Sequence, residues 1–172
     1  MNLKTAALLI AFAWLPIGAA AQEQDAKQCS MMSHHDAVNE HGDQVMGFSH
    51  KKTTHHFQLY KDGGAIEVDA NISTDTASRD LIRNHLSHIA EMFAEGNFDA
   101  PMLVHGRTPP GVPVLERLKG AVVYDYHDTE RGGRIRITTE NSEALQAIHD
   151  FLRFQITDHE TSDSQTIVEA PH

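Results

Sequence analysis

Two Gly-Gly pairs, Gly63-Gly64 and Gly132-Gly133, each interrupt two runs of alternating apolar and polar residues, and they constrain this chain more than any other feature. Alternation with period two is the pattern of a strand that buries one face, and an Asp or Gly turn between two such runs folds them into a hairpin. The first hairpin reads as Thr53 to Tyr60, a Lys61-Asp62-Gly63-Gly64 turn, and Ala65 to Ile72. The second reads as Ala121 to His127, a turn through Glu130-Arg131-Gly132-Gly133, and Arg134 to Thr139. Each hairpin leads through an Asn, Asn71 or Asn141, into a helix: one capped by Asp75 or Thr76 and stopped at Gly96, the other running from Ser142 to about Asp158.

The order is ββα followed by ββα, and the helices carry the same spacing. Leu81, His85, His88 and Met92 form one stripe, and Leu145, His149, Leu152 and Ile156 form its counterpart, which aligns His85 with His149. This pattern predicts an α+β fold: a two-layer sandwich with a four-stranded antiparallel sheet and two helices on one face, from a duplicated ββα unit. Two unrelated ββα units would give the same layers. The single domain is expected over 46–160. A polar tail and a short helix near His34 to Gln44 precede it, and a disordered tail over 161–172 follows. The connector Asn97 to Pro113, with Pro101, Pro109, Pro110, Gly111 and Pro113, should be mostly irregular, with a helical turn in Val114 to Lys119.

The first 21 residues have the features of a signal peptide: a basic start at Met1 to Lys4, an apolar run from Thr5 to Gly18, and Ala19-Ala20-Ala21 before the expected cleavage. That run falls short of the roughly 20 residues that cross a bilayer. A periplasmic or secreted location follows as the expectation, with no membrane association after cleavage. The 24 acidic residues outnumber the 14 basic ones, for a net charge of −10, which argues against nucleic acid or an anionic membrane as partner. Cys29 is the only cysteine, so no internal disulfide exists.

All 13 histidines lie beyond the leader, and they are the residues most suggestive of chemistry. Strand alternation turns His55, with Phe57 and Leu59, toward the helices, and His56 away from them. On the first helix, His85 and His88 stand one turn apart, and Met92 extends the stripe beside the apolar face of Ile82, Leu86, Ile89 and Phe93. A histidine at the edge of a core bonds a carbonyl, meets water or coordinates an ion. His55, His85, His88 and His105, with Met92 as a soft addition, are therefore the candidate ligands of a transition metal ion. Imidazole suits zinc and copper, and a thioether such as Met92, Met102 or Met46 shifts the preference toward Cu(I). The tail Cys29-Ser30-Met31-Met32-Ser33-His34-His35 is a second, looser cluster of the same kind.

Other readings stay open. The histidines can belong to a structural or partner-binding module without metal, and a homodimer is possible. A metal-dependent hydrolase would use three histidines, with Glu91 or Asp99 as base. Non-covalent haem would take His85 or His88 opposite a methionine, whereas covalent haem needs a C-x-x-C-H motif that is not present. The sequence also has no G-x-S-x-G, HExxH or phosphate-loop motif.

Met46-Gly47-Phe48-Ser49-His50, Thr54-His55-His56-Phe57, Arg83-Asn84-His85-Leu86-Ser87-His88-Ile89, Pro109-Pro110-Gly111-Val112-Pro113 and Phe151-Leu152-Arg153-Phe154-Gln155-Ile156 with Asp158-His159 resemble a family of small secreted bacterial proteins of unknown function. The resemblance spans about Met46 to Asp163. It implies one exported domain and carries no activity with it.

Overall fold

The computed structural model describes residues 33–171. The expected signal peptide and the Cys29 to Met32 part of the tail cluster lie outside the described residues. The described residues form one compact unit. Its elements are α1 (His34–Met46), β1 (Thr53–Tyr60), β2 (Gly63–Ala70), α2 (Thr76–Ala94), α3 (Asp99–His105), α4 (Val112–Arg117), a 3-10 turn (Lys119–Ala121), β3 (Val122–Asp128), β4 (Gly132–Thr139) and α5 (Ser142–Asp158). No described helix is long and apolar enough to cross a membrane.

The four strands form one antiparallel sheet in the order β1-β2-β4-β3, so the two hairpins meet along their second strands. The register places Phe57 beside Ile66, Ile66 beside Ile135, and Ile135 beside Tyr126, an apolar row across all four strands. Against the apolar face lie Ile82, Leu86, Ile89 and Phe93 of α2 and Ile148, Phe151 and Leu152 of α5, all buried. Each such side chain contributes about 1.5–3 kcal/mol by leaving water. The fold is α+β with its long helices packed on the sheet, as the alternation predicts.

The glycine pairs do a different job from the one their sequence context suggests. The first turn is only Lys61-Asp62, because Tyr60 already pairs with Gly63; the glycines begin strands. A β-carbon on Gly64 would sit 2.2 Å from Leu152 Cδ1, and one on Gly132 would sit 1.9 Å from the Val68 carbonyl oxygen. Bare backbone at these points lets helix and neighbouring strand approach.

Each helix also holds the hairpin of the other half. Arg83 of α2 donates to the carbonyls of Gly132 and Thr129 in the second turn, and the Nε2 of His149 on α5 lies 2.9 Å from the Tyr60 carbonyl and 3.1 Å from that of Gly63. His149 thus has a structural role that its counterpart His85 lacks.

Ser33 caps α1 through a reciprocal box with Asp36, and Gly47, at φ 75°, ends it. The connector is more regular than its prolines suggest. Pro101 falls in the first turn of α3 and Pro113 in the first turn of α4, where a missing N–H costs nothing. The end of the chain is also ordered: Val168 N donates to the Leu59 carbonyl (3.1 Å), and Lys61 N donates to that of Val168 (3.0 Å). These bonds and Asp163, which binds His56 and the Phe57 amide, lay the segment expected to be disordered along the outer edge of β1.

Candidate functional site

Six elements, α1, β1, β2, α2, α3 and α5, enclose a cavity of about 80 Å³. α1 supplies Met46, β1 supplies His55 and Phe57, α2 supplies His85, α3 supplies His105, and His159 follows the last turn of α5. Alternation explains His55, which shares the inward face with Phe57. His85 belongs to the stripe next to the buried one on α2, so it reaches the cavity from the side. His159 continues the spacing of four that runs through Phe151 and Gln155, and all three side chains line the cavity.

The rings are stacked closely. His55 and His159 are nearly parallel, 5° apart, with centroids 5.6 Å from each other. Phe48 lies against both His55 (6.3 Å) and His85 (5.6 Å), and His105 meets His159 edge to face at 4.9 Å. Burial pushes the pKa of His55 down to about 4, helped by the charges of His85 and His56. Burial likewise lowers His85 to about 4, with His88 adding to it. His159 falls to about 3 through burial and then the neighbouring His55 and His105, with Asp158 pulling the other way. All three are neutral at pH 7, and each neutral ring keeps one nitrogen lone pair. None of their ring nitrogens has a hydrogen-bond partner among the described residues.

His105 differs sharply. It is buried, with Nδ1 2.6 Å from Asp158 Oδ2 and Nε2 2.9 Å from Gln155 Oε1, so both nitrogens are engaged within the protein. Asp158 also accepts from His34 Nε2 (3.0 Å) and Arg107 Nη2 (2.7 Å). Burial alone would raise the pKa of Asp158, but the hydrogen bonds from His34, His105 and Arg107 hold its carboxyl below the usual range. This hub ties α1, α3 and α5 together directly beneath His159.

Of the residues expected as ligands, the structure brings His55, His85 and His105 to the cavity. His88 is exposed on the outside of α2, and Met92 packs half-buried against the core away from the cavity lining. Glu91 and Asp99 are exposed, and among the described residues no carboxylate lines the cavity. His159 and Met46 take the places that spacing along α2 assigns to His88 and Met92. Among the described residues, no three His, Cys, Asp or Glu side chains stand assembled to hold a metal ion. Two imidazoles bound to one ion have centroids roughly 5–6 Å apart, given metal–nitrogen bonds near 2 Å. The separation of His55 and His159 meets that condition, whereas their parallel planes require rotation of one ring. The χ2 torsion involved is broad and soft. Comparison with protein families, with characterised proteins and with solved structures returns no match, so the chemistry rests on the site's own geometry.

Proposed function

We propose that this protein binds a transition metal ion, copper in preference to zinc, without catalysing a reaction, and that it does so outside the cytoplasm, where its leader would send it. The observation that carries the reading is the meeting of three neutral, unpartnered imidazoles, His55, His85 and His159, with the Met46 thioether around one small apolar cavity. The three rings are half-buried at a largely apolar cavity, and a neutral imidazole without a hydrogen-bond partner keeps a nitrogen lone pair free for an ion. Imidazoles alone would accept zinc or copper; a thioether beside them favours Cu(I). The ligand set revises the sequence expectation: His55 and His85 stay, His159 and Met46 join, and His105 becomes a positioning residue that supports His159.

Two features favour binding over the rival readings. A hydrolase needs a general base within reach of the ion, and among the described residues the lining has no carboxylate. A cavity of about 80 Å³ accommodates an ion and a few ligand atoms, and a haem macrocycle needs far more.

The test is a titration of the chain, purified without an affinity tag and carrying Cys29→Ser, with Cu(I) against a competing chelator. One tight equivalent is expected. His55→Gln, His85→Gln or His159→Gln should weaken it at least tenfold, while His88→Gln and Met92→Leu leave it unchanged. Met46→Leu should narrow the preference for copper over zinc. Absence of stoichiometric copper, or equal losses from His88→Gln and His55→Gln, refutes the reading.

A further inference from the structure

A groove of about 560 Å³ runs beside the cavity, bounded by α1, β1 and the chain after α5, and Met46, His55 and His159 line both spaces. His35, His50 and His56 line the groove as well. Two of these histidines are held in the same way. His50 Nδ1 lies 2.9 Å from Asp43 Oδ1, and His56 Nδ1 lies 3.0 Å from Asp163 Oδ1. Each carboxylate is itself anchored by a backbone amide, Asp43 by that of His50 at 2.6 Å and Asp163 by that of Phe57 at 3.0 Å.

A carboxylate acting as acceptor fixes the tautomer. In the neutral ring Nδ1 then carries the proton and Nε2 the lone pair, and Nε2 has no hydrogen-bond partner among the described residues. Histidines that ligate metals are characteristically oriented by this kind of bond, which also raises their basicity. A pair of merely solvated surface histidines has no need of two such anchors in one groove. The Thr161 hydroxyl on the same groove wall is buried and without a partner among the described residues, a further polar atom available to a bound ion or its water.

We propose that this groove is an outer metal site. His50 and His56 capture Cu(I) through Nε2 and pass it across the shared wall of His55 and His159 into the inner cavity. This rests on the metal-binding reading of that cavity. The transfer is ligand exchange: one neutral imidazole replaces another, the ion keeps its charge, and no electron moves. The environment changes in the right sense, because the side chains of His50 and His56 are 31% and 42% exposed whereas the inner cavity is apolar.

The experiment follows Cu(I) uptake from a coloured chelate under anaerobic stopped-flow conditions, in the full chain carrying Cys29→Ser, together with equilibrium stoichiometry. The parent should bind one tight and one weak equivalent. His50→Gln/His56→Gln should lose the weak equivalent and fill the tight one at least tenfold more slowly, with its affinity unchanged. His55→Gln/His85→Gln should lose the tight equivalent and keep the weak one. If the first double variant does not fold, the single changes read out the same rate. Unchanged uptake in His50→Gln/His56→Gln, with the weak equivalent intact, overturns the outer site and leaves the inner one standing. A parent that binds only the weak equivalent refutes the inner site and not the outer, and one that binds no copper refutes both.

Discussion

Replacing Asp158 by Ala removes an acceptor shared by three donors, and the structure apportions the loss. His34 and Arg107 are 58% and 57% exposed at their side chains, so each is a solvent-screened polar contact that contributes up to about 1 kcal/mol. His105 is 1% exposed, and its Nδ1 would be left without its protein partner, at a cost of about 1–3 kcal/mol. Asp158→Ala should therefore destabilise by roughly 1–5 kcal/mol, against the 5–15 kcal/mol typical of a domain. His34→Ala and Arg107→Ala should each cost less than about 1 kcal/mol. Urea unfolding followed by far-UV circular dichroism is the assay, since the only tryptophan is Trp14 in the expected leader. In the double variant Asp158→Ala/His105→Phe no stranded N–H remains, so its loss should fall short of the sum of the single losses by at least about 1.5 kcal/mol. A loss below about 1 kcal/mol for Asp158→Ala, or strict additivity in the cycle, would refute the reasoning.

Two further outcomes follow from the same structure. His55 and His85 have folded-state pKa values of about 4 against an ordinary 6.5, so between these values the unfolded chain binds more protons; metal-free stability should decrease as the pH is lowered from 6.5 to about 4, by up to about 1.4 kcal/mol per pH unit for each histidine. Flat stability from pH 7 to about 4.5, or a slope that His55→Gln/His85→Gln fails to reduce, contradicts the assignment of neutral rings. Gly64→Ala should lower stability by about 1–3 kcal/mol, because its β-carbon would meet Leu152 Cδ1 at 2.2 Å and the Gln58 carbonyl oxygen at 2.6 Å. Gly120→Ala, with nothing within 4 Å, should stay within about 0.5 kcal/mol, and thermal unfolding of the two variants distinguishes them.

The hairpins and long helices were legible because burial on one face imposes a period, and the period survives in Phe57, Leu59, Ile66 and Val68 as in Ile82, Leu86, Ile89 and Phe93. What period cannot encode is closeness of approach. Gly64 and Gly132 read as turn residues, yet they are bare because a helix side chain and a neighbouring strand leave no room. Pro101 and Pro113 read as breakers, yet each occupies a first helical turn that tolerates it. The site was half legible. His55 and His85 follow from alternation and from the stripe on α2, but His88 and Met92 rest on spacing along one helix, and the fold leaves His88 in solvent and packs Met92 against the core away from the cavity. His159 had a sequence signal, its spacing of four from Gln155 and Phe151. Met46 had none that separates it from other methionines, because its place depends on how α1 docks.

The pairing of Val168 with β1 has a consequence for solubility. A sheet rim with unsatisfied amides and carbonyls is a template on which a second copy can add its own backbone. Here Val168 bridges to Tyr60 on that rim of β1, while the opposite rim, β3, carries Asp125 and Asp128, whose charges discourage stacking. A proteolytic cut before Gln165 would spare every ligand of the proposed metal sites and still uncover the β1 template, yielding a species prone to self-assemble into fibrils.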